Sequence, residues 1–385
     1  MGQLRDLNPV GCLLLSMLAV GAASLVVLGT GVAQAAGGPP PATLFDFAGV
    51  ARSFDADAGR VAWIDSAWAL HVRSLRSGVE TKIHYTNPYE EVPMFRSGPR
   101  LVLEYSATPL VLEPRRLAWI STRGAGMFEY AEHVYVAAVG ATHGRRIANV
   151  LHGDGTDGGY LLGLAGDTAG FAYGVAKVKP IGQDQEFFQV SGGGVFTLTG
   201  AAPRKLPGAP PAIVLAETAG RLAIAPLDTD QSTDGTPLAT GSIEIRSATT
   251  GALISSVTPT GVLRAAALTP TTLAVLAGNR IVRYDIASGQ LLGSTRVPTD
   301  TAPALDTSGM RIAFRRTRSV GVLDATTGRI STVVATPWRP SNVALDGPEL
   351  AWAERLRLAP GDLFDQGKKT FTTRVKTIGL PATSH

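Results

Sequence analysis

With 385 residues, only 17% of them charged, and 44 glycines and 25 prolines, the chain is too apolar to be disordered and reads as a turn-rich β protein. The net charge of +4 is scattered, with short runs such as Arg315, Arg316 and Arg318 but no stripe that could track phosphates, so nucleic acid is excluded as a partner. A length that could hold several average domains equally suits one repeat-built unit.

In chain order, residues 7–45 carry no charge, and Cys12 to Val32 is almost continuously apolar. Ala33 and Ala35 then match the small-x-small rule for signal-peptidase cleavage, so residues 1–35 are predicted to be an export signal and 36–42 a linker. The apolar stretch is also long enough to cross a bilayer, and Arg5 is offset by Asp6, so an uncleaved N-terminal anchor is the alternative. Both readings put a domain spanning 43–382 outside the cytoplasm, secreted or on the outer face of the cytoplasmic membrane. Cys12, the only cysteine, precedes the apolar run, whereas a lipoprotein cysteine would follow it. A mature chain without Cys12 has no disulfide and no thiol nucleophile, so packing must supply its stability.

Seven segments then share a hydrophobic-Ala-hydrophobic strand: Val61-Ala62-Trp63, Leu117-Ala118-Trp119, Phe171-Ala172-Tyr173, Leu222-Ala223-Ile224, Leu273-Ala274-Val275, Ile312-Ala313-Phe314 and Leu350-Ala351-Trp352. A short apolar strand and a turn precede most of them, as in Ala304 to Gly309 and Ala344 to Pro348. Two further strands follow, joined by a tight turn such as Asp285-Ile286-Ala287-Ser288-Gly289 or Asp324-Ala325-Thr326-Thr327-Gly328. In these turns the Asp accepts backbone N–H bonds and the Gly takes positive φ, which is a structural job and not a catalytic one. Each unit therefore reads as four antiparallel strands, a to d, and the chain as an all-β, seven-bladed β-propeller. Alternation puts Ala on one face of strand b and its larger neighbours on the other, so that successive sheets nest.

The seventh unit ends near Pro381 after strand c, and the apolar stretch Thr43 to Val50 belongs to no unit. The N-terminal stretch is predicted to supply the missing strand d and close the ring. Met94 to Ser106 is surplus to the second unit.

The Asp-x-x-[Ser/Thr]-Gly turns at 285–289 and 324–328 resemble those of WD-like and TolB-type bacterial propellers, over about residues 43 to 382. They also resemble quinoprotein turns, but Gly289-Gln290-Leu291-Leu292 and Gly328-Arg329-Ile330-Ser331 lack the tryptophan expected there, which argues against a quinone cofactor. The resemblance implies scaffolding and protein recognition, with occasional enzymes that work at the central channel.

In such propellers the b–c and d–a connections share one face, here the loop face, and the a–b and c–d turns the other, the turn face. The long connections read from the sequence are Ser121 to His133, Gly174 to Glu186, Ala225 to Ser242, Ala353 to Thr372, Asn87 to Thr108 and His152 to Gly159, all on the loop face. Asp228, Asp230 and Asp234 alternate with other oxygen side chains and are the candidate ligands for Ca²⁺, although the spacing departs from an EF-hand loop. Phe128, Tyr130 and Phe364 are candidate anchors for a partner, while Phe187 and Phe188 read as the start of a strand c. Gly192-Gly193-Gly194 precedes a strand and is no phosphate cradle. The six histidines lack ligand spacing, and no catalytic residue or resident cofactor is assigned. The expectation is a monomeric, extracytoplasmic module that binds a protein or cell-envelope component. The alternative is a hydrolase or lyase, metal-assisted or not, with carboxylates gathered around the channel.

Overall fold

The computed structural model describes residues 40–85, 95–97, 102–104, 109–124, 130–152, 158–181, 187–228, 239–356 and 371–381. They form seven four-stranded antiparallel sheets with no helix among the described residues, and the sheets are the blades of a β-propeller. The innermost strands are Ser53–Asp57, Leu110–Leu112, Gly158–Asp167, Ala212–Thr218, Leu263–Leu268, Leu305–Ser308 and Arg339–Asp346. Next to each lies a strand b that carries one triplet: Arg60–Ile64, Arg116–Gly124, Gly170–Ile181, Arg221–Pro226, Thr272–Ala277, Arg311–Arg316 and Glu349–Leu356.

All three residues of every triplet are buried, so strand b has no solvent face along the triplet. Among the described residues the core is not one cluster but seven, six lying between two blades and one running from blade 3 through blade 4 to blade 5. Ala62 packs with Leu117 and Trp119, Ala118 with Phe171 and Tyr173, and Ala172 with Leu222 and Ile224. The pattern continues with Ala223 against Leu273 and Val275, Ala274 against Ile312 and Phe314, and Ala313 against Leu350 and Trp352. It closes on itself where Ala351 meets Val61 and Trp63. The small face of each blade thus receives the two large residues of the next.

The N-terminal strand Ala42–Ala48 pairs antiparallel with Thr372–Gly379 and completes the seventh blade, as its sequence position predicts. Arg374 holds Asp46 through two hydrogen bonds of 2.9 and 2.8 Å across that pair. Phe45 and Phe47 reach further, to the Trp63 ring of blade 1, with centroids 5.2 and 5.0 Å away. One strand therefore supplies both the last sheet's fourth strand and part of the seam between last and first blades.

The c–d turns are built as the residues imply. Asp285 Oδ1 accepts from the Ser288 N–H and hydroxyl, and Asp324 Oδ1 accepts from the same groups of Thr327. Gly289 and Gly328 follow at φ +72° and +74°, where a side chain would be strained.

Two connections are shorter than the sequence suggests, because strands run on into them. In blade 2, strand b reaches Gly124 and strand c starts at Tyr130, and in blade 3 the pairing extends to Ile181 opposite Phe187. The alternating residues of these stretches sustain the hydrogen-bonded ladder, so blades 2 and 3 stand taller on the loop face than their neighbours. The surplus segment forms a hairpin, Phe95–Ser97 with Val102–Glu104, whose second strand lies alongside Leu263–Leu268 of blade 5.

Deleting residues 40–50 is expected to abolish the single cooperative melt followed by circular dichroism. Replacing Phe45 and Phe47 by Ala together should cost about 3–5 kcal/mol, since each ring is half-buried.

Candidate functional site

Because every strand a runs from the loop face to the turn face, residues at its start and end sort to opposite mouths of the central channel. The channel is a cavity of about 970 Å³ lined by the strand a residues of all seven blades. Arg52 and Arg315 lie towards the loop face, and Asp57, Glu113, Asp167 and Glu217 towards the turn face, with Asp55 and Asp306 between.

Three of these six carboxylates bind the blade ahead. Asp55 Oδ2 accepts from the Leu112 N–H at 2.7 Å, and Asp306 Oδ2 from the Leu345 N–H at 2.5 Å, in each case on the next blade's strand a. At the turn face, Asp167 accepts from the Gly220 N–H, Ser308 from Gly347, and Asp346 from Ala58 and Gly59. Arginines at the start of strand b work in the same direction. Arg60, Arg116, Arg221 and Arg311 donate to the carbonyls of Pro114, Ala169, Pro270 and Gly347, all in the next blade's a–b turn.

Glu113 and Glu217 differ from the rest. Glu113 is only 8% exposed, lines the cavity and makes no side-chain hydrogen bond among the described residues. Glu217 Oε2 is occluded and likewise without a hydrogen-bond partner. Burial, reinforced by Asp57 and Asp167 around Glu113 and by Asp167 and Glu113 around Glu217, pushes both acids up to about 8. Burial also lifts Asp306 to about 6 and raises Asp55 and Asp57. Among the described residues, no three His, Cys, Asp or Glu side chains gather as metal ligands.

On the loop face, a smaller cavity of about 180 Å³ is lined by Arg264, Arg315, Arg316 and Arg339, with Asp300 as its carboxylate. Asp300 is bound to Arg316 at 3.0 Å. Trp338, next in the chain to Arg339, is 37% exposed. A separate titratable group sits in blade 1, where His71 bridges Asp65 and Glu80 and stacks on Trp63. Burial opposes the charge of His71, but hydrogen bonds to the two carboxylates outweigh it and raise its pKa. Among the described residues no hydrogen bond joins His71 to a hydroxyl, and its role is to hold blade 1 together.

Of the residues singled out in the sequence, Asp228 lies just beyond strand b of blade 4, where Leu227 bridges Ala239 across the base of the b–c connection. Asp230 and Asp234 lie outside the described residues, as do Phe128 and Phe364. Tyr130 begins strand c of blade 2, opposite Gly124 and His152, rather than standing in a loop. The axial acids were missed, although a signal was present: an acid stands four residues ahead of the triplet at Asp57, Glu113, Asp167 and Asp346. An Arg immediately before the triplet, at 60, 116, 221 and 311, was an equal signal.

No protein-family model matches the chain, and a search of curated proteins finds no significant match. Solved structures similar to it include the computationally designed Ika8 protein, with 13% identity, TM-score 0.48, and 81% of this chain and 83% of that one covered. BamB from Moraxella catarrhalis is 11% identical at TM-score 0.42, covering 91% and 93%. Apo AztD from Citrobacter koseri is 12% identical at TM-score 0.41, covering 77% and 74%. The chemistry of the site has to be argued from its own residues.

The raised acids fix the sign of a pH effect. Each is protonated in the folded chain at a pH where the unfolded chain has released the proton. The stability this contributes is complete below the ordinary pKa near 4.5 and is lost as pH rises through about 8. Glu113→Gln and Glu217→Gln are therefore expected to stabilise the fold at pH 8.5 by about 1–3 kcal/mol each, with the gain vanishing near pH 4. Denaturant melts at the two pH values check this.

Proposed function

We propose that the chain is an extracytoplasmic binding propeller that docks a protein or cell-envelope component of acidic character on its loop face. The observation that carries this reading is the basic, tryptophan-bearing rim there, formed by Arg264, Arg315, Arg316, Trp338 and Arg339. Arg and Trp are the residues that most often anchor interfaces, and a rim whose four arginines outnumber its one carboxylate, Asp300, steers an acidic partner. The distribution of connections supports the same face. No a–b or c–d connection exceeds six residues, whereas the connections over 84–109, 227–242 and 357–371 all leave on the loop side. The apolar stretch ending in Ala33 and Ala35 supports export.

A second reading, a hydrolase or lyase at the channel, is favoured by Glu113 and Glu217, which burial keeps protonated at neutral pH as a general acid requires. Against it, their acidic neighbour Asp167 is committed to the Gly220 N–H and to its own turn, which leaves it poorly suited as a base.

The docking reading is tested by affinity capture from envelope extract with the wild type and with Trp338→Ala combined with Arg316→Glu and Arg339→Glu. The triple variant is expected to lose the recovered partner by more than tenfold, and wild-type capture to weaken with added salt. Equal recovery by both proteins overturns the assignment of this face.

A further inference from the structure

The turn-face mouth of the channel has a chemistry of its own, independent of the loop-face reading. Glu113 and Glu217 enter the cavity from blades 2 and 4, and Asp167 stands between them on blade 3. Among the described residues Glu113 is nine-tenths buried and makes no side-chain hydrogen bond, and Glu217 Oε2 is occluded without a partner. Buried carboxylate oxygens left unpaired are costly, and so is crowding like charges in a low-dielectric site. A bound cation that donates hydrogen bonds relieves both at once. Water would satisfy the protonated acids, but it could not offset the charge created when Glu113 and Glu217 ionise beside Asp57 and Asp167.

We propose that this mouth binds an organic cation through its primary ammonium groups, with Glu113 and Glu217 as the principal acceptors. The carboxylates come from separate blades and do not gather into a three-ligand metal set among the described residues, so an extended polyamine or lysine chain fits better than a single metal ion. An ammonium carries three donors, and an extended cation carries more than one ammonium, so one ligand can serve acids on blades 2 and 4. The cavity, at about 970 Å³, is of the size that takes small ligands.

The charges around the two acids set how binding responds to pH. Glu113 faces Asp57 of blade 1, Asp167 of blade 3 and Arg116 of its own blade. Glu217 faces Asp167, Glu113 and Arg116. Arg116 is engaged with the Ala169 carbonyl, and Arg60, beside Asp57, with that of Pro114. Both glutamates are protonated near neutrality and ionise when the cation arrives, so binding releases protons and tightens as pH rises.

Isothermal titration calorimetry of the full chain, in mild detergent on account of its apolar N-terminal stretch, tests this with spermidine, a trilysine peptide and calcium chloride. The expected result is saturable binding of an amine with proton release at pH 7.5, read from buffers of different ionisation heat. Affinity should fall at least tenfold in Glu113→Gln/Glu217→Gln, and also in the wild type between pH 8.5 and 5.5, which needs no variant to fold. Binding of both amines identifies the ammonium group itself, and binding of trilysine alone points to a lysine side chain of a partner. Failure of both amines to bind, binding of calcium alone, or an affinity unchanged in the double variant and across pH overturns the proposal.

Discussion

An alanine set against two large side chains of the next blade is the contact on which the ring depends. Strand b has no solvent face along the triplet, so each triplet must satisfy two interfaces at once, the small residue receiving and the large ones inserting. Seven such contacts leave no blade with a core of its own. Stability is therefore shared around the ring, and the seam between Ala351 and Trp63 matters as much as any internal interface. That is why the strand Ala42–Ala48 does more than fill an edge: its phenylalanines extend the same seam outwards onto Trp63.

Around this apolar frame runs a second, polar one with the same direction. Carboxylates on strand a and arginines at the start of strand b both reach forward to the backbone of the following blade. Bonds of this kind are directional where packing is not, so they fix the rotation of one sheet on the next. Along the channel wall the uniform sense of strand a places Arg52 towards the loop face and Asp57, Glu113, Asp167 and Glu217 towards the turn face.

The architecture was legible because it rests on periodic features. Triplets, turn aspartates and turn glycines recur in register, and the orphan strand at one end matched the missing strand at the other. The lengths of blades 2 and 3 were not legible, since alternating residues beside glycines such as Gly124 and Gly182 suit a loop as well as a long hairpin. The axial site was hidden for a different reason. Its members lie on separate units and meet only when the ring closes, and each alone reads as an ordinary turn-flanking acid. The signal was their common offset from the triplet, which becomes visible only when the units are aligned on one another.

The inter-blade frame also explains why two acids are left over. An acid four residues ahead of the triplet needs a free N–H in the following a–b turn, and Asp346 finds it at Ala58 and Gly59. For Glu113 the corresponding positions are Thr168 and Ala169, and Asp167 Oδ1 already takes the Ala169 N–H. Asp57 faces a turn that begins with Pro114, which has no N–H to give. Glu217 sits one position earlier on its strand, opposite Leu222, and so misses the forward-facing register that Asp167 uses. The unpartnered acids are thus a consequence of local turn chemistry in blades 2, 3 and 4, and they fall together because those blades are adjacent. A ring in which every acid reached forward would leave no unpaired carboxylate at this mouth, and here the exceptions to the repeat coincide with the lining of the channel.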